Sequence, residues 1–353
     1  MRRRGWSRPR RLVATSVFVS TATLALLAAC VWSTGQGAVD IPFWRVSRIV
    51  AHHISDRFAT RDWSDAHDNI VWQLRLPRVL LAAIVGAGLA VCGAALQAMV
   101  RNPLADPYLF GISSGASMAA VATLTLTSTA AASLSLSAAA FIGAAATSIV
   151  VYVVARQRGR VEPLRLVLAG VAIGNVCSAI TTFLILRRSG PGSGITAVLA
   201  WLAGSLAGAS WSALAAPAIV LVVGTLTLML QARSLNLIAA GDETATGLGI
   251  NLQRFRLRLF ALTSLIVGVL VAVSGAIGFV GLMIPHIIRR ILGPDHRRLL
   301  PGCAVTGALF LVVVDLVGRT IIAPNEVPVG VGTAIVGGPF FIYVMRRNQR
   351  HIS

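Results

Sequence analysis

The chain contains 353 residues with a formal net charge of +19, and 56% of the residues are hydrophobic while 12% are charged. Soluble domains carry roughly 25% charged residues, so this composition excludes a soluble globule and predicts that lipid surrounds most of the chain. All 31 basic residues are arginines, and they are spread between apolar runs instead of forming one basic patch. This pattern argues against a nucleic-acid partner. Without lysine there is neither a Walker A loop for ATP nor a Schiff base, so energy from ATP has to come from a partner.

Uncharged runs predict an all-α, polytopic membrane protein of about ten transmembrane helices, because one crossing needs about 20 apolar residues. The run 259–288 exceeds one crossing and contains Pro285, so we expect a helix there followed by a short returning segment. A shorter apolar helix is expected around Trp201. The other predicted spans are 12–33, 79–100, two within 107–155, 166–186, 212–231, 299–318 and 327–345.

The arginines predict the orientation, because basic residues are retained on the cytoplasmic side of a membrane. With the N-terminus inside, the inside segments hold 22 arginines and the outside segments hold 9. We therefore predict that both termini are cytoplasmic and that 1–353 form one transmembrane permease domain. Its parts are a cytoplasmic tail at 1–11, an extracytoplasmic loop at 34–78, a cytoplasmic segment at 233–258 and a second cytoplasmic tail at 346–353.

A short sequence echo predicts two related halves. Residues 84–94 read IVGAGLAVCGA and residues 266–276 read IVGVLVAVSGA, and seven of the eleven positions are identical. In the predicted topology the first copy starts outside and the second starts inside, which is the pattern of an inverted internal repeat in a transporter. The alternative is that glycine, alanine and valine are common in any spanning helix.

No catalytic or metal-binding pattern is visible. The six histidines are scattered through loops, and the four cysteines lie in apolar runs without the spacing of metal ligands. The predicted spans are almost free of charge, which disfavours an ion-coupled secondary transporter, although that class stays a more distant alternative. The exception is Asp315 with Arg319, one helical turn apart, and these two side chains can neutralise each other.

Three motifs point to a family. Gln73 to Arg78 reads QLRLPR before a span, and Arg101 to Pro107 reads RNPLADP, a turn motif that precedes the small-residue run GISSGAS. The third consists of SLNLIAAGDETATGLGIN at 234–251 and GAIGFVGLMIPHIIRR at 275–290. In order and spacing, from about Leu12 to Arg347, these motifs resemble the permease subunits of the ATP-binding-cassette (ABC) importers for iron-siderophores, haem and cobalamin.

The resemblance implies a type II ABC importer permease fold in a bacterial plasma (inner) membrane. It implies a second permease copy or a close paralogue, two ATPase subunits that bind ATP and Mg, and an extracytoplasmic substrate-binding protein. The chain itself is expected to hold no cofactor and to be a transport subunit, not an enzyme. The expected cargo is an iron chelate, a ferric siderophore, with haem or cobalamin as alternatives.

The resemblance also implies roles for individual residues. Arg75, Arg78 and Arg319 match arginines that pair with glutamates of the binding protein, although anchoring of a span is an alternative for Arg75 and Arg78. Glu162 and Pro163 occupy a candidate inner gate, where relatives often carry small hydroxyl residues instead. The expected ATPase coupling segment is a short helix-turn-helix that lies outside the predicted spans and turns at Gly241 and Gly249, with a purely structural cytoplasmic loop as the alternative. Its residues are Gly241, Asp242, Glu243, Ala245, Leu248 and Gly249.

Overall fold

The computed structural model describes residues 8–37, 39–55, 61–126, 132–157, 160–187, 195–323 and 325–349. This part of the chain is helical, apart from a small hairpin in which β1 (Arg156–Gln157) pairs antiparallel with β2 (Arg160–Val161). The long helices are α1 (Arg8–Gly35), α4 (Leu76–Val100), α6 (Ala132–Ala155), α7 (Pro163–Arg187), α9 (Trp211–Leu230), α12 (Leu252–Ser274), α14 (His296–Thr320) and α15 (Val329–Gln349).

The remaining helices are shorter than a full crossing. A π-helical stretch, Asn69–Arg75, leads into α4, and a 3-10 turn, Pro107–Phe110, precedes α5. The short α-helices are α2 (Phe43–Ile54), α3 (Asp65–Asp68), α5 (Ile112–Leu126), α8 (Ile195–Leu202), α10 (Ala232–Ala240), α11 (Asp242–Gly247) and α13 (Val280–Leu292).

The predicted all-α, polytopic architecture is confirmed. Eight of the described helices are long and apolar enough to cross a membrane, and α5 is a shorter apolar helix. Helix α13 is also short and packs against α4 and α14. The short helix predicted around Trp201 is α8.

Helix α4 is the centre of the bundle and packs against α14, α13, α12 and α9. Its glycines permit this close packing. A Cβ atom added to Gly93 would lie 1.9 Å from the carbonyl oxygen of Gly281, and one added to Gly86 would lie 2.2 Å from that of Gly307. Backbone therefore meets backbone at both positions, where no side chain fits.

The returning segment after α12 is confirmed, but the turn is not at Pro285. Helix α12 ends at Ser274, Gly275 adopts φ +66°, and α13 starts at Val280 after Phe279 at φ +68°. Pro285 lies inside α13. Glycine reaches a left-handed conformation at little cost, so Gly275 makes the break that the proline does not.

The two similar segments, 84–94 and 266–276, run in opposite directions and contact each other. Helix α4 begins near Arg78 and ends at Arg101, whose guanidinium lies 4.0 Å from Asp242. Helix α12 begins beside that same carboxylate, which Arg256 binds. A Cβ atom on Gly88 would meet the side chains of Leu270 and Ile266, so the two copies pack on each other. Their opposite directions agree with an inverted repeat.

The predicted loop 34–78 contains regular structure. Helix α1 continues to Gly35, α2 and α3 follow, and the helical course into α4 begins at Asp65. This segment has a small hydrophobic core of its own, formed by Ile41, Val46, Ile49, Trp63 and Val71. We call the end of the bundle with Arg75, Arg78 and Arg319 the arginine end, and the opposite end of α4 the Asp242 end.

Candidate functional sites at the two ends of the bundle

A compact ion network joins α4 and α14 at the arginine end. Nε of Arg78 lies 2.9 Å from one carboxylate oxygen of Asp315, and Nε of Arg319 lies 3.0 Å from the other. The carboxylate of Asp315 is fully buried, and Arg78 also donates to Glu326 at 2.7 Å. The expected neutralisation of Arg319 by Asp315 is thus present, and Asp315 compensates Arg78 as well.

The charge of Arg75 is stabilised by hydrogen bonds to backbone carbonyl oxygens. Its guanidinium donates to the carbonyls of Thr34, Gly35 and Val39 at distances of 3.2, 2.9 and 2.7 Å. These contacts tie the start of α4 to the end of α1. Arg319 reaches the same region through the carbonyl and hydroxyl of Ser33, at 2.9 and 2.6 Å.

The arginines are less accessible than a simple docking role suggests. Arg75, Arg78 and Arg319 are 8%, 9% and 7% exposed. They line the wall of a cavity of about 430 Å³, together with Glu326, whose side chain is 45% exposed. Their predicted pairing with a binding protein stays a prediction, and a partner at this end would meet the cavity mouth.

At the Asp242 end, α10 and α11 form a short helix-turn-helix. Gly241 lies between them at φ +137°, and Gly249 follows α11 at φ +84°. Both conformations are rare for other residues, which explains why glycine marks the two turns. This geometry matches the helix-turn-helix that we predict there, and its contact with an ATPase stays a prediction.

The coupling segment has one anchored face and one free face. Nη2 of Arg256 lies 2.8 Å from both carboxylate oxygens of Asp242, and Ala245 is fully buried. Glu243, Leu248 and Gly249 are exposed, and the side chain of Leu248 is 60% exposed. The free face of the segment therefore carries an exposed apolar side chain, and its contact with another protein stays a prediction.

Asn236 ties α10 to the start of α14. Its amide nitrogen donates to Asp295 at 2.7 Å, and its oxygen accepts from the backbone N–H of His296 at 2.9 Å. Although burial raises the pKa of Asp295, hydrogen bonds from Asn236 and the N–H of Arg297 outweigh it and lower that pKa. These hydrogen bonds attach α10, which directly precedes the coupling segment, to the start of α14.

The candidate gate residues lie beside the hairpin. Glu162 precedes α7, is exposed, and pairs with Arg165 at 3.4 Å, while Pro163 is the first residue of α7. The N–H of Val161 donates to the side-chain oxygen of Gln253 at 2.9 Å, which attaches the hairpin to the start of α12. The gate assignment stays a prediction.

The RNPLADP motif is the predicted turn. Arg101 closes α4 at φ +55°, and Asn102 accepts from the N–H of Leu104 at 2.9 Å. Asp106 accepts from the N–H of Tyr108 at 2.9 Å and caps the 3-10 turn. Burial raises the pKa of Asp106 to about 6.

A family model, the FecCD transport family, matches residues 25–347 of this sequence. The chain belongs to that family. The cobalamin import system permease protein BtuC of Halobacterium salinarum is 43% identical over 280 residues, which are 79% of this chain and 74% of the relative. The hemin transport system permease protein HmuU of Yersinia pestis is 40% identical over 298 residues, which are 82% of this chain and 88% of the relative.

A solved structure shares the fold of this FecCD-family chain. It is described as a metal-chelate type ABC transporter in an inward-facing conformation, with a TM-score of 0.79 and 28% identity, covering 93% of this chain and 98% of the other. The expected type II importer permease fold is confirmed. The chain is a membrane permease subunit of an ABC importer and not an enzyme, and a partner ATPase hydrolyses the ATP.

Sequence reasoning missed several partners in this FecCD-family permease. The Arg78–Asp315 and Arg78–Glu326 pairs join positions 237 and 248 residues apart, so no local pattern signals them. The contact between Asp242 and Arg256 spans 14 residues. No clear signal for it exists in the sequence, because Arg254, Arg256 and Arg258 all stand at the start of the same apolar span and, among the described residues, only Arg256 pairs with a carboxylate.

Proposed function

We propose that this chain moves a ferric siderophore across the membrane and that a separate ATPase, which binds the coupling segment, drives the transport. The observation that carries this proposal is the free face of that segment, with Glu243 and Leu248 exposed while Asp242 and Ala245 are held by the bundle. A rigid attachment on one side and an accessible surface on the other suit a segment that transmits movement. ATP and Mg are bound by the partner, and the chain holds no cofactor of its own.

The Asp242 end faces the cytoplasm in this proposal, and both termini lie there. The excess of arginine in the segments at this end supports it. The arginine end then faces the outside of a bacterial plasma membrane. The binding protein is proposed to cover the mouth of the arginine-lined cavity. The three arginines outnumber the carboxylates of Asp315 and Glu326 there, and the net positive charge attracts the glutamates of the binding protein over a distance.

A ferric siderophore is the proposed cargo, and the description of the solved structural relative as a metal-chelate type transporter supports a cargo of the metal-chelate class. Haem and cobalamin are alternatives, supported by the names of the relatives HmuU and BtuC. The described spans have few fixed charges outside the arginine network. Such a lining binds cargo weakly, which leaves selectivity to the binding protein.

Two copies of this chain, or one copy and a close paralogue, are proposed to enclose the path. Helices α7 and α15 present many exposed apolar side chains, among them Leu168 and Val176 of α7 and Ile335 of α15. A second permease copy covers part of this surface, and lipid covers the rest. The two ATPase subunits then bind one to each coupling segment.

The test is transport in proteoliposomes that contain the permease, its ATPase and its binding protein. Uptake of radiolabelled ferric siderophores, haem and cobalamin is measured with ATP, and with a non-hydrolysable analogue as the control. ATP-dependent uptake of a ferric siderophore supports the proposal, and preferential uptake of haem or cobalamin selects an alternative. Uptake driven by an ion gradient without ATP, or uptake without the binding protein, contradicts it.

A further inference from the structure

An apolar cavity of about 260 Å³ lies between α6 and α12, away from both sites described above. Helix α6 contributes Phe141, Ile149 and Tyr152 to its wall, and α12 contributes Leu257, Phe260 and Leu265. The two helices are candidate membrane spans, so the cavity lies at hydrocarbon depth. Ile149 is 65% exposed and Leu265 is 45% exposed, so the cavity opens on an apolar outer surface.

Two exposed arginines continue the same face of α12 towards the Asp242 end. Arg254 lies three residues before Leu257, and Arg258 lies three residues before Ala261, another wall residue. Side chains three and four residues apart share a helix face, and helical side chains lean towards the N-terminus of the helix. Both guanidinium groups therefore extend from the cavity towards the membrane surface.

Neither arginine is compensated within the described part of the chain, where no carboxylate lies within the 4.0 Å of an ion pair. Their neighbour Arg256 differs, because it points the other way, is buried and binds Asp242. Arg156 adds a further exposed positive charge. Its hairpin is held against the start of α12 by the contact between Val161 and Gln253.

We infer that this cavity and the adjoining arginines bind one anionic phospholipid. An acyl chain occupies the space between Phe141, Tyr152 and Leu265, and the phosphate group lies between Arg254 and Arg258. A guanidinium is well suited to a phosphate, which it can bind through two parallel hydrogen bonds. Basic residues at the membrane surface beside a groove between spanning helices are the expected composition of such a site.

The lipid would lie where it can influence coupling. Arg254 and Arg258 flank Arg256, whose side chain holds Asp242 of the coupling segment. An anionic headgroup on the outer face of α12 offsets the repulsion among the three arginines of these turns. This inference goes beyond the proposed function and does not depend on the cargo.

Native mass spectrometry of the full-length permease, released from detergent with added lipid, tests the inference. Wild type is expected to retain phosphatidylglycerol in preference to phosphatidylcholine with the same acyl chains. The double variant Arg254→Gln/Arg258→Gln is expected to retain about tenfold less phosphatidylglycerol. The control Arg233→Gln removes an exposed charge from α10, outside the cavity, and is expected to bind like wild type.

A second variant tests the acyl chain separately. Ala261→Trp fills the cavity from its exposed side, keeps both arginines, and is expected to reduce retention of both lipids. Equal binding of the two lipids by wild type, or unchanged binding by the arginine variant, overturns the inference. So does an arginine variant that keeps the lipid but loses the ATPase or the second permease copy, because the arginines then serve a protein contact.

Discussion

Nη2 of Arg256 lies 2.8 Å from both carboxylate oxygens of Asp242 and fixes the first residue of α11 to the first turns of α12. This contact makes the coupling segment part of the bundle. Helix α12 also carries the second copy of the internal repeat, which crosses α4. The salt bridge therefore joins α11 directly to a helix that packs on α4 at the centre of the molecule.

Asp242→Asn is expected to lower the free energy of unfolding by about 1–3 kcal/mol, because it leaves the buried guanidinium of Arg256 without its charged partner. Combining it with Arg256→Gln is expected to cost less than the sum of the two single changes. Denaturant unfolding in detergent measures all four proteins. Glu243→Gln, on the exposed face, is the control with an expected change within about 0.5 kcal/mol, and strict additivity of the two changes would contradict the pair.

Asp315→Asn is expected to be far more disruptive than Glu326→Gln. Asp315 is fully buried and compensates Arg78 and Arg319, so its neutralisation leaves two buried cations and costs about 3–5 kcal/mol. Glu326 is half exposed, and its loss costs less than about 1 kcal/mol. Thermal unfolding of the two variants gives the comparison, and equal losses of stability would refute the network.

Asp106 is expected to make stability depend on pH. Burial raises its pKa from 3.8 to about 6, so the folded protein holds a proton that the unfolded chain releases, and stability falls as the pH rises from about 4 to about 6. The loss is about 3 kcal/mol at most. Asp106→Asn keeps an acceptor for the N–H of Tyr108 and carries no charge.

The variant is therefore expected to unfold at a higher temperature than wild type at pH 8 and at the same temperature at pH 4. Thermal unfolding across this range is the measurement. Parallel pH profiles for Asp106→Asn and wild type would show that another group titrates.

Gly93→Ala is expected to prevent tight packing of α4 on α13. The added methyl group would lie 1.9 Å from the carbonyl oxygen of Gly281, which belongs to the backbone and cannot rotate away. A loss of at least about 2 kcal/mol follows. Gly208→Ala also adds one methyl group, but into open space, and is expected to be neutral. Similar melting temperatures for both variants would contradict the close helix contact.

Much of the fold could be predicted because lipid imposes a simple rule on the sequence. The apolar runs gave the spans, and the turn residues of RNPLADP and the glycines at 241 and 249 gave the local turns. The proline predicts a break near position 285, whereas the break lies at Gly275 and Pro285 is inside α13. Proline usually disturbs a helix interior, so the sequence alone does not reveal that α13 continues through this position.

The sites were harder to predict, because they depend on contacts between distant segments. Arg78 was identified from its motif, but its carboxylate partners lie on α14 and beyond. The burial of Arg75 depends on three backbone carbonyl groups around the end of α1. Every residue has a backbone carbonyl, so the sequence does not indicate which ones accept from the arginine. Local charge patterns therefore indicated which residues matter but not what they touch.

The central claim is that an ATPase drives transport through the exposed tip of the coupling segment. ATP-driven uptake of a ferric siderophore by proteoliposomes carrying Leu248→Asp, with its ATPase and binding protein, tests it most directly. Leu248 is 60% exposed, so the folded permease is expected to tolerate the change, and Leu248→Met is the control that keeps an apolar tip. We predict that the aspartate variant loses more than about nine-tenths of its uptake, since a buried unpaired charge at the centre of an interface costs several kcal/mol, while the methionine variant transports like wild type. Uptake by the aspartate variant at the wild-type rate would contradict the account.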